Sequence, residues 1–328
     1  MPFSDLKIVE PLVKVNKLVK YFPARGTYFQ PSAMVRAVNE ISFSLREGET
    51  YGLVGESGCG KSTTGRMILR LIEPTSGEVF YQGRDILKLD EPELQKIRKQ
   101  VQIVFQDPFS ALNPRIRIGD AIREPLNIYN IGSPQDRKGH VCEILSKVGL
   151  QIDHYDRYPH EFSGGQRQRI VLARALSVQP KFVVLDEPVS ALDVSTQSQI
   201  INLLRKIQDG LQLTYLFISH NLSVIRHISD RIGVMYLGHI LEEADTDSLF
   251  SEPQHPYTQA LLSAIPHSNP TRKRSRIVLN GDVPSPLNMP SGCVFHTRCP
   301  IANEKCKEIP PALREIGTKH KVACHLHV

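Results

Sequence analysis

The stretch Gly55-Glu56-Ser57-Gly58-Cys59-Gly60-Lys61-Ser62-Thr63 fits the pattern G-x-x-x-x-G-K-[ST] at every fixed position. Glycines at 55, 58 and 60 let the backbone approach a ligand closely. They also permit turns that aim successive N–H groups at one point. Such a cradle suits a polyphosphate, and a helix starting near Lys61 adds its positive end. In this reading Lys61 reaches the β- and γ-phosphates. The Ser62 hydroxyl sits on Mg²⁺, and Thr63 hydrogen-bonds the α-phosphate. A Gly-rich turn matching by chance is on the order of one in a hundred for a chain this long at ordinary residue usage.

Further along, Phe182-Val183-Val184-Leu185-Asp186-Glu187 is an apolar run that ends in two carboxylates. An apolar strand flanked by helices belongs in a parallel sheet, and ligands bind beyond the carboxyl ends of such strands. Asp186 is thus placed to hold Mg²⁺, and Glu187 to orient or deprotonate an attacking water. Two solvated acids at a strand end are common in isolation. The upstream loop makes them the expected metal partner. Gln106 stands where the run Val101–Phe105 meets a loop, because Pro108 disfavours helix at Asp107. Ser163-Gly164-Gly165-Gln166 opens a helix and offers a second anion site, a weak signal by itself. His220 follows the apolar run Leu213–Ser219, at a strand end beside the expected γ-phosphate.

These residues need a scaffold. Thr50–Val54 reads as a short buried strand feeding the loop, with a helix after it. Residues 12–21 and 35–45 alternate and read as antiparallel strands around an exposed loop, Pro23–Ala33. From about 109 to 177 the pattern is helical, over Ile118–Ile128, Arg137–Val148 and Gln166–Leu176. A helix over Ser195–Gln208 and a closing strand pair around Gly238 complete the unit. An aromatic just before the sheet could stack on a purine; Tyr21 is the candidate, Phe22 the alternative, and a core aromatic the plain reading.

The chain has 328 residues, 41% hydrophobic and 23% charged, enough for one large domain or for one domain plus an appendage. It holds no apolar run of eighteen residues, and Met1–Lys20 lacks a signal-peptide core, so the expected place is the cytosol. Net charge is +6, with a basic cluster at Arg272-Lys273-Arg274-Ser275-Arg276. That balance is compatible with nucleic acid or an anionic surface, and most simply with a solvated face.

Taken in order, the motifs resemble those of ATP-binding subunits of ABC transporters over roughly residues 12–250. Residues 55–63 match the phosphate loop, Gln106 the Q-loop, and Phe162–Gln166 the signature, with Phe where Leu is commoner. Asp186 and Glu187 match the metal and water-activating carboxylates. Ser190-Ala191-Leu192-Asp193 matches the D-loop, and His220 the switch histidine. The resemblance implies an α/β P-loop ATPase: an antiparallel β subdomain, a parallel-sheet core and a helical insert in 1–250, with a C-terminal extension over 251–328. Parts of that extension, His255–Leu262, Gly281–Pro286, Gly292-Cys293 and Arg298-Cys299-Pro300, resemble those of dipeptide and oligopeptide importers, most like the "F" type; nickel importers are related. It implies a head-to-tail ATP sandwich with a second ATP-binding subunit. Ser163, Gly164, Gly165 and Gln166 of one chain would face the nucleotide held by the other. Gln106 would contact Mg²⁺ or the water, and His220 the γ-phosphate. Two transmembrane permeases and an extracytoplasmic binding protein would complete the importer, with this chain peripheral on the cytoplasmic face of a bacterial membrane.

Four of the six cysteines, Cys293, Cys299, Cys306 and Cys324, fall near the end, after a Pro- and Ser-rich linker over 266–290. Clustering in a cytosolic chain favours metal ligation. By chemistry four thiolates suit zinc or an iron–sulfur cluster alike, with free thiols the remaining option. The family resemblance implies [4Fe-4S], which would staple a segment too poor in apolar residues to build its own core. Cys142 reads as an ordinary residue. A rival class, an ATPase acting on nucleic acid, rests on the basic cluster alone. Neither a long coiled coil nor a second phosphate loop accompanies it. A subunit that binds without turnover is disfavoured by Glu187 and His220.

Overall fold

The computed structural model describes residues 10–24, 33–265 and 277–327. The basic cluster at 272–276 lies outside them, as do part of the exposed loop and part of the linker. The chain enters through strands β1 (Val13–Pro23) and β2 (Met34–Leu45), then β3 (Thr50–Val54) and helix α1 (Lys61–Ile68). It continues through β4 (Ser76–Tyr81), β5 (Arg84–Asp85), α2 (Glu91–Arg98) and β6 (Val101–Val104). The insert holds α3 (Pro108–Ala111), α4 (Ile118–Ile128), α5 (Pro134–Lys147) and α6 (Gly164–Leu176). Next come β7 (Phe182–Asp186), α7 (Val194–Leu211), β8 (Thr214–Ser219), α8 (Leu222–Ile228), β9 (Arg231–Tyr236) and β10 (His239–Asp245). The remainder forms α9 (Thr246–Ser251), α10 (Pro256–Ser263), α11 (Glu304–Glu308), β11 (Arg314–Gly317) and β12 (His320–Val322).

Two sheets result. One is antiparallel, in the order β2-β1-β4-β5; the other runs β11-β12-β10-β9-β3-β8-β7-β6. Strands β9, β3, β8, β7 and β6 are parallel. Every residue of β3, β7 and β8 is buried, as expected of strands covered on both faces. The antiparallel β1 and β2 instead mix buried and exposed positions. Val54 pairs with Ser219, and Asp186 with Ile218. The carboxyl ends of β3, β7 and β8 therefore share one rim, which brings the phosphate loop, the two carboxylates and His220 together.

The C-terminal region departs from expectation. It does not stand beside the sheet as a metal-stapled module. Strand β12 pairs with β10 and extends the sheet. Cys293, Val294, Phe295 and Ala323 join the main core. Phe295 is fully buried and meets Tyr236, Tyr257 and His255 at ring distances of 5.4, 5.3 and 5.6 Å. Glu242, also fully buried, ties the layers together. It accepts the backbone N–H groups of Gln254 and His255 at 2.7 and 2.9 Å, and lies 2.7 Å from His320 Nε2.

The [4Fe-4S] expectation, with its zinc alternative, is accordingly corrected. Among the described residues, no group of three or more His, Cys, Asp or Glu side chains is arranged to hold a metal ion. Cys293, Cys299, Cys306 and Cys324 are free thiols. Burial pushes the Cys293 thiol up to about 11 and raises Cys299 and Cys324. The segment borrows an existing aromatic core instead of replacing one. Phe295→Ala should therefore destabilise the protein by about 3–5 kcal/mol. Limited proteolysis should cut the tail faster in that variant, and an unchanged melting temperature would reject this account.

Candidate active site

The phosphate loop packs against two neighbours so closely that side chains are excluded. A Cβ on Gly55 would lie 2.0 Å from Met235 O, and one on Gly60, at φ +107°, 2.2 Å from Ala37 O. Lys61 is buried and donates to the carbonyls of Gly55 at 2.8 Å and Glu56 at 3.0 Å. Cys59 points away from the opening and is buried, its Sγ 3.7 Å from Lys61 Nζ.

The acidic residues are fixed from the same rim. The Ser62 hydroxyl donates to Asp186 Oδ1 at 2.7 Å. Burial pushes the Asp186 carboxyl up, and the Ser62 hydroxyl offsets part of that shift. Glu187 sits just past β7 at φ +50°, a left-handed conformation uncommon for a non-glycine residue. Its N–H donates to Ile218 O at 3.0 Å, fastening it to the neighbouring strand. Its Oε2 accepts from Gln106 Nε2 at 3.1 Å and lies 3.1 Å from His220 Nδ1. Three motifs separated widely in sequence thus meet on one carboxylate oxygen.

They surround a cavity of about 600 Å³. Its walls are the phosphate loop except Cys59, together with Gln106, Glu187, His220, Ala37, Leu222 and Leu261. Asp186 lies behind Ser62, out of the wall. Tyr21 is not in the wall either. Its hydroxyl donates to Asn39 Oδ1 at 2.7 Å and its ring faces the Arg36 guanidinium at 5.8 Å. Phe22 is likewise outside, beside Lys20. Ser163, Gly164, Gly165 and Gln166 are also absent from this cavity. Ser163 caps α6, its hydroxyl accepting from Gln166 N–H at 3.3 Å, and the start of that helix is open to solvent. Asp193 caps α7 in the same way through Thr196 N–H at 2.9 Å.

Sequence reasoning missed the C-terminal contribution to this wall. Leu261 arrives from α10, and the Tyr257 hydroxyl accepts the Glu56 backbone N–H at 3.0 Å. Arg298 donates to Glu56 Oε2 at 2.8 Å. No local pattern announces these contacts, because the partners stand 201 and 242 residues apart.

Known proteins resemble this chain over most of its length. Residues 38–190 match the ABC transporter family, and residues 241–306 match the oligopeptide/dipeptide transporter C-terminal region. The chain is 53% identical over 322 residues to the oligopeptide transport ATP-binding protein AppF of Bacillus subtilis (strain 168), covering 97% of this chain and 98% of that one. It is 48% identical over 325 residues to the dipeptide transport ATP-binding protein DppF of Escherichia coli (strain K12), covering 99% and 97%. A solved dimeric ATP-binding cassette in a post-hydrolysis state, bound to ADP and Pi, superposes with a TM-score of 0.64 at 30% identity. That likeness covers 71% of this chain and 98% of the cassette. Among the described residues no helix is long and apolar enough to cross a membrane. Matched over nearly its whole length by these relatives, the chain belongs to the ABC-transporter ATP-binding subunits of the oligopeptide/dipeptide family.

Proposed function

We propose that this chain is the ATP-hydrolysing subunit of a peptide importer. It would work in a head-to-tail dimer with a second ATP-binding subunit, against two permeases fed by an extracytoplasmic binding protein. The observation that carries the reading is the convergence of Gln106, Glu187 and His220 on one oxygen facing the phosphate loop. In this assignment the backbone of residues 55–60 and Lys61 hold the phosphates, with Ser62 and Thr63 beside them. Ser62 and Asp186 are hard oxygen donors, and such a pair fits a Mg²⁺ ion held largely by phosphate and water. Bound there, Mg²⁺ would neutralise charge on the phosphates. Glu187 orients the attacking water and draws its proton, while Gln106 and His220 hold the carboxylate in place.

The exposed start of α6 has no ligand role within its own cavity. A partner chain would place it, with Ser163 as its cap, against the nucleotide held across the interface. Full-length likeness to two peptide-transport subunits favours peptides over nickel as cargo and a position at the cytoplasmic face of a bacterial membrane. The test is uptake of labelled dipeptides, longer peptides and nickel by cells with and without this subunit. Peptide uptake should depend on the chain. Uptake of nickel alone would overturn the cargo assignment.

A further inference from the structure

Glu56 is one of the residues lining the phosphate cavity, and a negative charge on it opposes the binding of a triphosphate. The side chain is only 27% exposed, so water does not fully screen it. Its counter-charge comes from the other end of the chain. Arg298 lies 9% exposed, donates to Glu56 Oε2 at 2.8 Å, and touches the Tyr236 hydroxyl at 3.4 Å. Tyr236 in turn packs on Tyr257, ring centres 4.8 Å apart, and Tyr257 receives the Glu56 N–H. The same peptide unit is held from within, because Lys61 donates to the Gly55 carbonyl at 2.8 Å. The C-terminal extension thus grips one residue of the phosphate loop at both its backbone and its charge.

We propose that Arg298 is a positioning residue for the triphosphate: it cancels and fixes the Glu56 carboxylate, so that an intact C-terminal extension sets nucleotide affinity. The proposal rests on the reading of residues 55–63 as the nucleotide cradle. Removing Arg298 bares a half-shielded anion at the mouth of that cradle. Removing the anion as well restores neutrality, even though the contact is still lost.

The test is equilibrium binding of a fluorescent ATP analogue to the full chain, with melting temperature followed in parallel. Arg298→Ala should weaken binding about tenfold in low salt, the scale of a lost charge-assisted hydrogen bond. The deficit should shrink to about threefold or less in molar salt, where the Debye length is ~3 Å. Arg298→Lys should keep most of the affinity, since a single Nη makes the contact. The double variant Glu56→Gln/Arg298→Ala should return to within about threefold of the parent, the non-additivity expected of a directly coupled pair. At saturating ATP the assembled transporter carrying Arg298→Ala should turn over normally, with the whole deficit in KM. Unchanged affinity in Arg298→Ala would overturn the proposal. A loss retained in the double variant would also overturn it, since that traces to damaged packing and not to a bared charge. Should Arg298→Ala not fold, Arg298→Gln carries the same comparison. Failure of the parent chain to bind the analogue would overturn the cradle reading itself, a result distinct from either.

Discussion

Glu187→Gln is expected to slow ATP hydrolysis by two orders of magnitude or more while leaving ATP binding in place. Loss of a general base typically costs ~10²–10⁴ in rate. The substitution is nearly isosteric. The backbone anchor from residue 187 to Ile218 O does not involve the side chain, and the amide can still meet Gln106 and His220. What disappears is the charge that draws a proton from water. The phosphate loop is untouched, so the ATP-bound dimer should accumulate and be visible by size-exclusion chromatography with ATP. Near-normal turnover in the assembled complex would sink the assignment of Glu187. It would move attention to His220, whose ring is about half exposed beside the same oxygen.

Ser163→Arg should abolish turnover at the neighbouring subunit's nucleotide while this chain's own affinity for ATP survives. The hydroxyl of Ser163 caps α6, and the Ser163 N–H in turn donates to the Gln166 side chain at 3.0 Å. A long cation there destroys the cap and fills the approach to the helix start. Yet the site lies outside the cavity built by residues 55–63 of the same chain. The effect must therefore cross an interface. Combining Ser163→Arg either with Lys61→Ala in this chain or with loss of the phosphate-loop lysine in the second subunit separates the two sites. If the isolated variant lost ATP affinity as well, the trans arrangement would be wrong.

The sequence was most readable where chemistry restricts residue type. Gly55 and Gly60 cannot carry a Cβ against Met235 O and Ala37 O, so the loop advertises itself by its glycines. The all-apolar β7 and β8 announce a sheet covered on both faces. Tyr21 was readable only as an aromatic in roughly the right place. Register adds what the sequence could not, pairing Tyr21 with Arg36 and giving its hydroxyl to Asn39. The cysteines misled for a related reason. Their density looked like a substitute for a core, because the core they join is supplied by Tyr236 and Tyr257, far upstream. Pairing of β12 with β10 leaves no trace in local periodicity, since the strands share neither a turn nor a repeat.

The strand order also governs the birth of the protein. Strand β3, which carries the phosphate loop, hydrogen-bonds only to β8 and β9, and both are made long after it. At ~5–20 residues per second, roughly ten to thirty seconds of translation separate β3 from its first sheet neighbour. During that interval an apolar strand and a glycine-rich loop leave the ribosome without partners, a natural client for chaperones. The grip of Arg298 on Glu56 forms later still. A nascent chain that stalls before β8 is made would thus hold the complete phosphate-loop motif, yet lack the strands that seat it in the sheet.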